Sequence, residues 1–275
     1  MSPYNKMVID FHTHIFPDKI AGATINALST SANIPPHSDG TKSGLYSSMA
    51  KGGIDISLNL PVLTKATQFD SIFKFGLMLN EEKATQGRII SFAGFHPDIE
   101  DYEEKLIQVK ENGFSGIKLH PDYQGTFFDD ARYINILKVA KKLDLITVTH
   151  AGLDGAFIGQ EIKCTPKRVL NLLDKLGGYD KLVLAHLGGN ELFDDVYSGL
   201  AGECVYFDTS YVLPFLTQEQ FEKMLQKHGE DNILFATDSP WQSQGEMVNI
   251  IKSYNLGKEA EEKILSLNAK KLLKI

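Results

Sequence analysis

The residues Asp10-Phe11-His12-Thr13-His14 close a short apolar run, Met7-Val8-Ile9. In a β-strand alternate side chains share a face, so His12 and His14 project together. Paired neutral imidazoles suit one zinc, iron, nickel or manganese ion. A catalytic site of that kind takes three or four protein ligands and keeps a further position open. Two histidines are too few, and the remaining ligands must come from other parts of the chain.

Further candidates stand at the ends of apolar runs. His150 closes Leu145-Ile146-Thr147-Val148-Thr149, and His186 closes Lys181-Leu182-Val183-Leu184-Ala185. As a pair on adjacent strands they read as contacts to metal or substrate. Asp238 follows Ile233-Leu234-Phe235-Ala236-Thr237. An ionised carboxylate there is costly unless it is paired or holds a metal; the alternative is that it caps the next helix. Asp208 ends Val205-Tyr206-Phe207 in the same way. His96 and His120 each precede a proline and either line a pocket or shape loops. Lys118 shares a strand face with His120. It could bind a substrate carboxylate, pair with an aspartate, bridge two metals once carboxylated, or snorkel to the mouth. Only His37 and His228 of the 8 histidines fall outside this set, and both are expected to be solvated.

What positions these groups is a regular alternation of strands and helices. Strands are expected at 7–14, 54–61, 88–97, 116–121, 145–152, 181–189, 205–210 and 232–241. Helices are expected at 19–29, 45–52, 64–86, 100–112, 130–143, 166–176, 190–200, 217–227, 247–254 and 258–273. Eight short apolar strands, each followed by helix, predict an α/β fold of the (β/α)8 TIM-barrel type, in a single domain over 1–275. An open doubly wound sheet is the competing fold, but no Gly-rich phosphate fingerprint follows the first strand. In a barrel, working residues gather at the C-terminal strand ends, and six of the 8 histidines lie there.

Composition narrows the function. The 275 residues are 43% hydrophobic and 23% charged, with a net charge of -7. An acidic chain has little to offer a phosphate backbone, so nucleic acid is not an expected partner. No apolar run approaches the roughly 20 residues that span a bilayer, and Met1–Lys6 lacks an apolar signal core, so no membrane partner and a cytoplasmic location are expected. Cys164 and Cys204 have no metal or disulfide spacing. The loops at 32–44, 122–129 and 153–165 are expected to set specificity, with His120, Tyr123, Gln124 and Trp241 as substrate contacts. The oligomeric state is not legible.

Asp-Phe-His-Thr-His at 10–14, Gly-Ile-Lys-Leu-His-Pro at 116–121, Thr-His-Ala-Gly at 149–152, Leu-Ala-His-Leu-Gly-Gly at 184–189 and Ala-Thr-Asp-Ser-Pro-Trp at 236–241 occur in one order. Together they resemble the amidohydrolase superfamily, and most closely its amidohydrolase-related branch of hydrolases, lactonases and aminocarboxymuconate-semialdehyde-type decarboxylases. The resemblance implies a divalent metal, zinc above all, held by His12, His14, His150 and Asp238. It also implies that Asp238 and His186 are catalytic, Asp238 taking a proton from water and His186 steadying the water or the developing charge. One metal is expected, and a second only if Lys118 is carboxylated. The leading expectation is a hydrolase cleaving a C–N or C–O bond of a small, carboxylate-bearing molecule. A metal-dependent decarboxylase is the alternative, and a non-catalytic binding barrel the third reading.

Overall fold

The computed structural model describes residues 7–82 and 88–275. The expectation for Met1–Lys6, and the last residues of the helix expected at 64–86, lie outside them. The strands are β1 (Ile9–Thr13), β2 (Ile56–Asn59), β3 (Arg88–Ser91), β4 (Ala93–Gly94), β5 (Gly116–Leu119), β6 (Ile146–Thr149), β7 (Leu182–Leu184), β8 (Tyr206–Asp208) and β9 (Ile233–Leu234). All pair in parallel, as β1-β2-β3 and as β4-β5-β6-β7-β8-β9. Only Phe92 separates β3 from β4, and its N–H donates to the Asn59 carbonyl at 3.0 Å, a ladder bond that makes the two one stave. The barrel closes between β9 and β1: Phe11 N–H donates to Phe235 O at 2.9 Å, Asp238 N–H to His12 O at 2.9 Å, and Thr13 bridges Ser239. The result is the eight-stave barrel expected from the alternation.

Staves buried on both faces should be apolar throughout, and nearly every strand residue here is buried. Ile9, Phe11, Leu58, Phe92, Val148, Val183 and Leu234 belong to one cluster, which meets Ala269 and Leu272 of the last helix, Asn268–Leu273. A second cluster packs the outer faces of the staves against the surrounding helices. The helices follow local signals. Pro166–Leu176 starts with proline behind the Thr165 cap and stops at Gly177, in the left-handed region at φ 61°, matching the expected limits. No described helix is long and apolar enough to cross a membrane.

Two helices follow β1 before β2 is reached: α1 (Asp18–Ala32) and α2 (Lys42–Gly52). The α1 helix runs past the expected 29, and α3 (Phe69–Glu81) follows β2.

Candidate active site

The first strand is irregular where the chemistry begins. Ile9 pairs with Ile56 and Asp10 with Ser57, but Thr13 pairs with Asn59, so β1 carries one extra residue between the last two pairs. A bulge of this kind re-aims the side chains beyond it. Asp10 is turned toward the closing seam, where it accepts hydrogen bonds from Thr237 N–H (3.0 Å), the Thr237 hydroxyl (2.6 Å) and the Gln244 amide (2.7 Å). His12 faces the functional end with His14, their Nε2 atoms 3.1 Å apart. Asp238 arrives from the other side of the seam at φ 66°, an uncommon left-handed conformation for a residue other than glycine.

Hydrogen bonds fix both histidine tautomers. His12 Nδ1–H donates to Asp208 Oδ2 at 2.8 Å, and His14 Nδ1–H donates to the Leu60 carbonyl at 2.8 Å. With Nδ1 of each ring so engaged, both rings present Nε2 inward. Asp238 Oδ1 lies 3.1 Å from His14 Nε2 and 3.4 Å from that of His12. Three acceptors that converge with no proton among them repel unless a cation sits between them. Donors held about 2.0–2.1 Å from a tetrahedral ion stand roughly 3.3 Å apart, so the donor set and spacing fit a divalent metal. The carboxylate and carbonyl behind the two rings are the outer partners such ligands need.

Charge in the site is consistent with this. Burial, and then the neighbouring Lys118, hold the His12 imidazole well below its ordinary pKa, so the ring is neutral. Burial alone would raise the Asp238 carboxyl; positive charge at the neighbouring imidazole positions outweighs it and holds it at about 2, so Asp238 is ionised when a cation stands there. Lys118 is fully buried, with Nζ 3.1 Å from His12 Nε2. Burial lowers it to about 8 against the pull of Asp208, Asp238 and Asp154.

The remaining predicted ligand stands apart. His150 groups with His120 and Asp154 rather than with His12, His14 and Asp238. Its Nδ1 lies 2.9 Å from His186 Nε2, and its ring stacks on His120 at 4.3 Å with an 11° interplanar angle. His150 Nε2 and Asp122 Oδ2 are buried, have no hydrogen-bond partner and lie 3.9 Å apart. His186 donates through Nδ1 to the Ser210 carbonyl at 3.0 Å, which turns its Nε2 toward His150. His120 Nδ1 accepts from Tyr123 N–H at 3.4 Å, so its Nε2–H faces Asp154 Oδ2 at 3.3 Å. Burial and Lys118 keep His120 neutral, and burial followed by His120 does the same for His150.

His12, His14, Lys118, His120, His150, Asp154, His186 and Asp238 open into one cavity of about 580 Å³, which Tyr123 and Trp241 also line. That volume is in the range of small-molecule pockets. Two expectations need correcting. Gln124 does not line the cavity: its amide donates to Leu63 O at 2.9 Å and Phe95 O at 2.5 Å, and its oxygen accepts from His120 N–H and the Tyr133 hydroxyl, using its full bonding capacity on the frame. His228, expected to be solvated, is buried, stacks on Phe207 at 3.7 Å and donates from Nε2 to Val205 O. His96 is buried too, but its Nδ1 accepts from Asp98 N–H and it shapes its loop. His37 is exposed, as expected.

Sequence reasoning assigned no role to Asp154, which lines the cavity, or to Asp208, which supports it. Asp208 was visible as a polar strand end. Its use became clear only with the fold: Oδ2 holds His12 while Oδ1 accepts the backbone N–H groups of His186 and Ser210, each at 3.0 Å. Asp154 follows Gly152, whose φ of 84° brings the chain against Asn190; a Cβ at that glycine would lie 2.2 Å from Asn190 N.

Comparison with known proteins agrees with this architecture. No curated protein matches the chain. Among solved structures, 2,6-dihydroxybenzoate decarboxylase from Rhizobium is 18% identical, with a TM-score of 0.69 over 98% of this chain and 99% of that one. Dihydroxybenzoic acid decarboxylase from Polaromonas sp. JS666, with bound manganese and 2-nitroresorcinol, is 19% identical, with a TM-score of 0.72 over 98% and 97%. 5-Carboxyvanillate decarboxylase from Novosphingobium aromaticivorans, complexed with manganese and a nitrobenzoic acid, is 16% identical, with a TM-score of 0.72 over 98% and 96%. At these identities the likeness establishes the shared barrel. The family model described as amidohydrolase matches residues 9–275, nearly the whole described barrel, and with its motifs set around one cavity the chain belongs to the amidohydrolase family.

Proposed function

We propose that this protein is a metal-dependent decarboxylase that removes carbon dioxide from a small carboxylic acid. The observation that carries the reading is the convergence of His12, His14 and Asp238 beside the buried ammonium of Lys118, which gives one carboxylate two cationic partners. Solved decarboxylases on the same barrel, two of them with manganese, support decarboxylation over the hydrolysis that the sequence ranked first.

The divalent ion, when bound, supplies positive charge that holds the substrate carboxylate and withdraws electrons from the scissile carbon. Manganese and zinc both suit two imidazoles and a carboxylate. His12, His14 and Asp238 would hold the ion. His150 would join them through Nδ1 once Asp122 closes on its Nε2–H, which satisfies both orphaned atoms. Lys118 donates to the substrate carboxylate, and the His120–Asp154 pair lines the cavity beside it.

The substrate is held as its carboxylate, and Asp238 passes a proton taken from solvent to the carbon that loses the carboxyl group. The carbon–carboxyl bond breaks, its electron pair stays on that carbon, and the proton completes the C–H bond: R–COO⁻ and H⁺ become R–H and CO2. His186, across from Asp238 and fixed by Ser210, orients the group between them.

The test is product analysis of the metal-loaded protein on a panel of hydroxybenzoic acids, lactones and amides. Release of CO2 with the matching R–H supports the proposal. Turnover of lactones or amides with no CO2 from any acid would return the protein to the hydrolases.

A further inference from the structure

The cavity is much larger than the metal end requires, and its extension has a distinct chemistry. Ile20, Thr24 and Leu28 recur at every fourth residue of α1, one helical face, and all line the cavity. The neighbouring face of α1 is already used, because Ala21 and Ile25 are buried against the body of the protein. Gln68, Ser71, Ile72 and Phe75 form the corresponding row at the start of α3, and Val62 joins them from the segment after β2. Leu28, Val62, Ile72 and Phe75 are only partly buried and Ile20 is half exposed, so two helices present unfilled apolar surface to the same space.

Charge is scarce along this arm. Its polar interruptions, Thr24, Gln68 and Ser71, are neutral. Among the residues lining the whole cavity the only lysines are Lys118 at the metal end and the exposed Lys19 at the rim, and there is no arginine. The three arginines are placed elsewhere: Arg132 pairs with Asp98 and Asp130, Arg168 with Asp129 and Glu161, and Arg88 opens β3 at the far end of the barrel. A substrate with a second carboxylate or a phosphate remote from the metal would find a single counter-charge on α1, the exposed Lys19 beside Ile20, and none between there and Lys118.

We infer that the substrate is a monocarboxylic acid carrying an extended apolar arm, alkyl or aryl, that lies between α1 and α3 while its carboxyl group reaches the metal end. This rests on the decarboxylase reading for the head group and adds the class of the tail. Apolar contact in such a slot grows with each methylene buried, in contrast to the single-ring acids named for the compared structures.

The experiment measures binding of benzoate and its 4-ethyl, 4-butyl and 4-hexyl derivatives to the manganese-loaded protein by calorimetry, with CO2 release from the 2-hydroxy form of each acid assayed in parallel. Affinity is expected to rise roughly three- to fourfold per methylene until the slot is filled. In Leu28→Gln the rise should flatten while benzoate itself binds as before, and Ile72→Ser on the facing helix should repeat the result. Affinity that does not change with chain length in the unaltered protein overturns the inference, whatever the CO2 assay gives. Affinity that rises with chain length and flattens in both variants, with no CO2 from any acid, supports the apolar arm and rejects the decarboxylase reading instead.

Discussion

Asp208 holds two parts of the site at once: Oδ2 accepts the Nδ1–H of His12 at 2.8 Å, and Oδ1 accepts the backbone N–H of His186 at 3.0 Å. One buried carboxylate therefore sets the tautomer of a proposed ligand and the position of the residue facing it. Replacing it with alanine frees the His12 ring and removes two backbone partners. Asp208→Ala is expected to lower metal affinity about 10- to 100-fold, measured by competition with a chelating dye. Unchanged affinity would mean that packing alone orients His12.

The metal content of the unaltered protein is expected to be about one equivalent per chain, and His12→Ala/His14→Ala should lose it. Elemental analysis of protein purified without a histidine tag reads this directly. A chelator should abolish activity, and added manganese or zinc should restore it. An ion that binds only the folded state at 100 times its Kd adds about 2.7 kcal/mol of stability, so the thermal midpoint should rise on reloading.

Lys118 separates one metal from two. If its ammonium holds the substrate carboxylate, Lys118→Met should lower kcat/KM roughly 10- to 100-fold, the worth of a charged hydrogen bond, with the metal content unchanged. Loss of a second equivalent in this variant would show instead that the carboxylated side chain bridges two ions.

His228 makes acid stability measurable away from the metal. Burial pushes its folded pKa down from 6.5 to about 4. The folded state thus favours the neutral ring, and between those values the unfolded chain binds the extra proton. The contribution is complete above pH 6.5 and is lost as pH falls toward 4, by about 3 kcal/mol in all. His228→Phe keeps the stack on Phe207 but cannot titrate. In urea unfolding it should be less stable than the unaltered protein at pH 8, and the gap should narrow by pH 5. A gap that stays constant with pH would show that His228 does not titrate on unfolding.

The barrel was legible because its cause is local: short apolar runs broken by helix signals recur eight times, and Pro166–Leu176 carries both its stop and its start. The ends of the staves were not. Residues 232–241 read as one strand, but β9 is only Ile233–Leu234, because beyond it the chain turns to meet β1 and reverses its backbone at Asp238. The convergence of His12, His14 and Asp238 was readable from residue type at strand ends. The direction of Gln124 was not, since its partners Leu63 and Phe95 lie 61 and 29 residues away. His228 was misjudged for a similar reason: a helix end looks solvated until Phe207 on the neighbouring stave is seen beneath it.

The helix α1 is an excursion between the first two staves, and none of the residues proposed to hold the metal or move protons resides on it. The proposed apolar slot and the proposed metal end thus lie on separate stretches of polypeptide. If the proposed slot is right, substitutions at Ile20, Thr24 and Leu28 change which molecules are accepted, while buried Ala21 and Ile25 and the groups at the strand ends stay as they are.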